Sequence, residues 1–192
     1  MKRRDYLKSI FALGALSVTS FSVFEWVKLT RHVDAKQILD KRPIIAELAE
    51  MIIPRTDTPG AKETGVGDFI VKMIKDCSSV KTQNNFIDGL KDLHQYSHRE
   101  YNKTYLQCTN AEQGSILSHF EKKDKSFNGI LGKIQRRLVG ETFFSILKGL
   151  TVEGYCTSQL GATQALAYVY IPGSFQGCID MKPGQKAWAT NY

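Results

Sequence analysis

The chain has 192 residues, 42% hydrophobic, 23% charged and 10% aromatic, the size and balance of one globular domain with an ordinary core. Its 15 Gly and 5 Pro exclude a low-complexity linker, and its 4 Cys are too few for a disulfide-stapled miniprotein. The net charge of +7 would suit nucleic acid, but Lys2, Arg3, Arg4, Lys8 and Lys28 against Asp5 and Glu25 hold +3 of it, leaving +4 on the rest. That excess is too small for a nucleic-acid surface, and no nucleic-acid partner is expected.

The opening residues, MKRRDYLKSIFALGALSVTSFSVFEWVKL, read as an address. A basic start precedes an uncharged run of 16 residues from Ser9 to Phe24, with Glu25 and Lys28 behind it. This is the layout of an export signal, and the run is shorter than the roughly 20 residues of a membrane-spanning helix. Arg3 and Arg4 followed by Tyr6, Leu7 and Lys8 resemble the twin-arginine export motif, which implies the twin-arginine translocase as a transient partner. Residues 1–30 are therefore read as an export-signal helix and 31–192 as the exported domain. No Ala-x-Ala site follows the run, so cleavage stays open; an uncleaved signal would tether the protein to the inner membrane. The expected location is the periplasm, in association with that membrane.

Downstream the pattern is mainly α, an irregular helical domain. Asp40 and Pro43 mark a helix start, Ile44, Ile45, Leu48, Met51 and Ile52 share one helical face, and Pro54 ends the helix. Arg55 to Gly67 is dense in turn residues. Asp68 is the expected cap of a second helix carrying Phe69, Ile70, Met73 and Ile74. Thr82 is the expected cap of a third with Phe86, Leu90 and Leu93 inside. Thr109 to Glu112 is a capping-box pattern ahead of Ile116, Leu117 and Phe120. One long helix is expected from about Gly129 to Leu150, carrying Ile130, Ile134, Leu138, Phe143, Ile146 and Leu147. Thr151 to Gly161 reads as polar and small, Gly161 to Tyr168 as two helical turns, and Val169 to Cys178 as extended. No alternating run is long enough to build a sheet.

Motifs that would carry chemistry are weak throughout. His94 and His98 have the i, i+4 spacing of a helical metal site, yet no Glu stands in the H-E-x-x-H position and spacing indicates no third ligand. No metal and no cofactor is expected in this chain. Cys108 and His119 could be a nucleophile and base only if the fold joined them, which nothing in the spacing requires. Gly60, Gly65 and Gly67 do not form G-x-G-x-x-G. Lys122, Lys123, Lys125, Arg136 and Arg137 read as solvated helix faces. In an oxidising compartment Cys77, Cys108, Cys156 and Cys178 could pair in three ways, and the near-neighbour pairing Cys77–Cys108 with Cys156–Cys178 is favoured. The absence of C-x-x-C and C-x-x-C-H removes the usual zinc-ribbon, thioredoxin and c-type haem patterns.

Two stretches go further. IAELAEMIIPRTDTPGAKETGVGDFI, Ile45 to Ile70, and TVEGYCTSQLGATQALAY, Thr151 to Tyr168, resemble the two signatures of the gluconate 2-dehydrogenase subunit 3 family. PGSFQGC from Pro172 and PGQKAW from Pro183 fit the same pattern. The resemblance implies a non-catalytic small subunit of a periplasmic sugar or polyol dehydrogenase. Its partner would be a large flavoprotein of the glucose–methanol–choline type that binds FAD, with a cytochrome c subunit taking the electrons in complexes that have one. The alternative is an escort that carries a flavoprotein out and then leaves it; a stand-alone envelope enzyme or binder is a third class. Within the second signature, Gly154, Gly161, Ala162 and Ala165 allow close approach, while Glu153, Tyr155, Thr163 and Gln164 are groups that an interface uses. These eight residues are the candidate partner interface, set against the plainer role of filling an irregular part of this chain's own core. Cys156 stands where the resemblance leads one to expect a bulky aromatic, which a disulfide to Cys178 or simple drift would explain.

Overall fold

The computed structural model describes residues 31, 33–125, 137, 139–171, 173, 178 and 180–189. The expected export signal, with Arg3, Arg4, Tyr6, Leu7 and Lys8, lies outside the described residues, as do most of 126–138 and the greater part of 172–179. The described chain is mainly helical, and the one β-bridge among the described residues is a parallel contact of Ala167 with Trp188. No helix among the described residues is long and apolar enough to cross a membrane.

Helix α1 (Ala35–Leu39) is capped by Asp34, whose carboxylate accepts from the Lys36 N–H at 3.0 Å. Helix α2 (Arg42–Ile52) starts with Pro43 in its first turn, where the missing N–H is harmless, and buries Ile45, Leu48 and Ala49. Helix α3 (Val66–Lys72) does not start at Asp68. Its N-cap is Gly65, held at φ +73°, and Asp68 falls inside the first turn, where a carboxylate favours the helix dipole and pairs with Arg42. A π-helical turn, Met73–Cys77, follows directly. Its loosened carbonyls are collected by one side chain: Gln83 Nε2 donates to Ile74 O and Lys75 O, both at 3.0 Å.

Helix α4 (Val80–Tyr101) is capped by Ser79 rather than Thr82: Ser79 Oγ accepts from the Thr82 N–H at 3.2 Å. Phe86, Leu90 and Leu93 are buried, as their spacing predicts. A 3-10 turn, Tyr105–Gln107, leads to α5 (Asn110–Lys125). There the capping box forms: Thr109 N–H donates to Glu112 Oε2 at 2.7 Å and Glu112 N–H to Thr109 Oγ1 at 3.4 Å. Ile116, Leu117 and Phe120 face inward.

The long helix expected over 129–150 is not continuous. Gly140 sits at φ +96°, a conformation that stops a right-handed helix, and Thr142 caps a new one, α6 (Phe143–Thr157). Residues 129–136 lie outside the described residues. Helix α6 also runs on through residues that read as polar and small; the hydroxyl of Thr151, which is fully buried, is satisfied within the helix by donating to Leu147 O at 2.7 Å. It is the central strut, packing against α2, α3, α4 and α5. Phe143 meets Phe86 at 5.4 Å and Phe120 at 5.9 Å between ring centroids, closing the core where α6 begins.

Candidate functional site

The two signature stretches, separated by 80 residues of sequence, are packed on each other. Helices α2 and α3 lie close enough that a Cβ on Gly67 would stand 2.9 Å from Ala46 Cβ. The connection between them is braced from below by Glu50, whose carboxylate accepts the backbone N–H groups of Arg55 at 3.1 Å and Lys62 at 2.8 Å. Ala61 N–H donates to Ile53 O at 3.0 Å, and Arg55–Glu63 and Lys62–Glu47 pair across the turn. The second signature then locks onto this turn. Tyr155 Oη, buried, donates to Pro59 O at 2.8 Å, and Gly154 lies under the Phe69 ring, 2.5 Å from where its Cβ would stand.

The eight expected interface residues therefore divide. Gly154, Tyr155 and Gly161 are buried and serve this chain's own packing. The Tyr155 carbonyl occupies the space that a side chain at 161 would need, and Gly161 N–H donates to Ser158 Oγ at 3.0 Å. Glu153, Thr163 and Gln164 are exposed, and Ala162 and Ala165 are half-buried. The segment Gly161–Ala165 makes a single π-helical turn instead of two α-turns. Beyond it the chain is met by its own tail. Ala167 N–H donates to Ala187 O at 2.8 Å, Ala189 N–H to Ala167 O at 2.9 Å, and Lys186 Nζ to Gln164 O at 2.5 Å. The large exposed side chains along this strap, Tyr168, Tyr170, Ile171, Met181 and Trp188, were not among the residues that sequence reasoning selected. The available signal was the run Tyr168-Val-Tyr-Ile171, apolar yet without helical or strand periodicity to give it a core face.

The expected disulfides are not found: Cys77, Cys108, Cys156 and Cys178 are all unpaired. Cys77 is exposed at the end of the π-helical turn, whereas Cys108 is buried with Sγ 3.4 Å from both Ser97 Oγ and Thr104 O, so the near-neighbour pair is not formed. Cys108 and His119 also have different surroundings, since His119 stacks on Tyr96 at 4.2 Å while Arg99 approaches the same ring at 5.1 Å. His94 and His98 meet edge to face at 4.7 Å. Among the described residues no group of three or more His, Cys, Asp or Glu is placed to hold a metal ion. Among the described residues three groups have shifted proton affinities, and one of them, the Glu121 carboxyl, is held below the usual glutamate range by its hydrogen bond from Lys125. Burial pushes the Tyr105 phenol well above its usual range, and its Oη has no hydrogen-bond partner. The Thr109 backbone N–H, and then Lys103, hold the Glu112 carboxyl below the usual glutamate range.

The family model for gluconate 2-dehydrogenase subunit 3 matches residues 40–173, from the start of α2 past the end of α6, and the chain belongs to that family. No curated protein and no solved structure matches it.

Proposed function

We propose that this chain is the non-catalytic small subunit of an FAD-dependent sugar or polyol dehydrogenase complex acting in the periplasm. Its work is to carry the export signal and to stabilise a large flavoprotein of the glucose–methanol–choline type. The observation that carries the reading is the family match over 40–173, which takes in both signatures and the helices that pack them together. The family's own description, a dehydrogenase subunit, supports a place in a dehydrogenase complex with partner subunits. The twin-arginine pattern at Arg3 and Arg4 supports export in the folded state, the condition under which a partner can travel attached. FAD belongs to the partner, and a cytochrome c subunit receives the electrons where the complex includes one.

The exposed residues of the second signature, Glu153, Thr163 and Gln164, are available to that partner. The test is isolation of tagged full-length protein from the envelope fraction, read by mass spectrometry and by the flavin absorption spectrum. A yellow complex holding one flavoprotein per small subunit is expected. Colourless protein recovered alone from the periplasm would favour the escort. In the same cells, replacing Arg3 and Arg4 with Lys should leave both proteins in the cytoplasm; export of both despite the change would refute the twin-arginine reading.

A further inference from the structure

We propose that Asn84 latches the start of the folded domain at Arg31, so that a peptidase removing the export segment can cut only ahead of that residue. The inference rests on the export reading above and adds where the fold permits processing. Three consecutive residues near the start of α4 carry side-chain amides, and each takes hold of a different piece of backbone. Gln83 Nε2 holds Ile74 O and Lys75 O in the π-helical turn, both at 3.0 Å. Asn85 Nδ2 donates to Val139 O at 2.9 Å and Glu141 O at 3.0 Å, just ahead of α6. Asn84 Nδ2 donates to Arg31 O at 2.7 Å, 53 residues away in sequence, and to Val80 O at 2.9 Å. Successive side chains leave a helix about 100° apart, so three amides in a row can gather three segments around one helix.

Asn is a poor choice for a helix interior, and this one is 1% exposed. A buried amide is tolerated where its hydrogens are bonded, and the two carbonyls take both of the N–H groups that Nδ2 offers. Freeing Arg31 would leave one of them unmet inside the protein. The chain that follows is also anchored: Val33 is 7% exposed and Ile38 1%, and Asp34 caps α1 between them.

A protease draws an extended stretch of chain into its cleft, so susceptibility follows the burial and hydrogen bonding of the backbone under attack. In the bond after Arg31 the atom attacked is the carbonyl carbon whose oxygen Asn84 holds. The Arg31 residue itself is exposed, so the bond is guarded by its backbone rather than by a hidden side chain. Cutting there requires the latch to open and Val33 to leave the core, and its rate reports how often that opening occurs.

The experiment digests purified full-length chain with trypsin and follows the cut after Arg31 by timed mass spectrometry. The variants are Asn84→Ala and Asn85→Ala, the second losing two bonds of the same kind to a different segment. Asn84→Ala should speed the cut at least about tenfold, and Asn85→Ala should leave it within about twofold of the unaltered chain. Equal acceleration in both variants would mean a general loss of stability and would overturn the latch. So would a cut in the unaltered chain as fast as in urea-unfolded chain, a comparison that decides the matter even if Asn84→Ala fails to fold. The mass of the protein isolated from the envelope then gives its first residue, expected at or before Arg31; a first residue beyond Arg31 overturns the proposal. Protein confined to the cytoplasm would remove the export reading and with it the limit on processing, while the tryptic rates would still decide the latch.

Discussion

The two ends of the second signature make opposite use of similar residues. In α6, Gly154 and Tyr155 are buried, fixed by Phe69 and by a hydrogen bond to Pro59, and the apolar surface there is consumed within the chain. A dozen residues on, Tyr168, Tyr170 and Ile171 leave large side chains in solvent, just past Ala167, where the tail pairs with the backbone. The first region shows what this sequence needs in order to fold; the second shows what it leaves for something else. Substitutions in the two regions should therefore separate stability from assembly.

The largest stability loss is expected inside. Leu48→Ala removes a fully buried side chain from α2 and should destabilise by about 2–5 kcal/mol, read as a lowered chemical denaturation midpoint. Gly154→Val forces a side chain into the Phe69 ring and should cost about 1–3 kcal/mol, with partial relief from Phe69→Ala in a double-mutant cycle. Additive effects would mean that the two residues are not in contact.

Tyr155→Phe removes only the hydroxyl that joins the signatures and should cost about 1 kcal/mol. Ser79→Ala should cost a similar amount through loss of the α4 cap. Smaller still is the effect at Glu112. Its folded carboxyl is held low, so the stability it contributes is present above the unfolded glutamate pKa and is lost as pH falls through the folded value. Its NMR titration midpoint should lie below the ordinary range and rise in Lys103→Met without fully returning, because the Thr109 N–H bond remains. Full return would make Lys103 the main cause.

Much of the fold was legible in the sequence because helix faces follow from spacing alone. The inner residues of α2, α4 and α5 and the capping box at Thr109 stand where periodicity put them. Starts and stops were less legible. Gly65 and Gly140 act through positive φ, and a sequence does not show which of several glycines will adopt it. Ser79 and Thr82 are both good caps, and only the backbone conformation at 79 decides between them. The candidate interface was half legible: small residues mark close approach, but not whether the neighbour is this chain or another. Phe69 and Pro59 answered that for Gly154 and Tyr155. The strap was missed because an apolar run without periodicity looks the same whether it is covered by its own fold or by a partner.

The division between the two regions is tested most directly by hydrogen–deuterium exchange on the small subunit, alone and in complex with its flavoprotein. New protection should concentrate in 159–171, which carries the exposed Thr163 and Gln164, while α2, α3 and the first turns of α6, already protected in the free chain, should change little. Protection gained mainly in 42–72 with none in 159–171 would contradict the account.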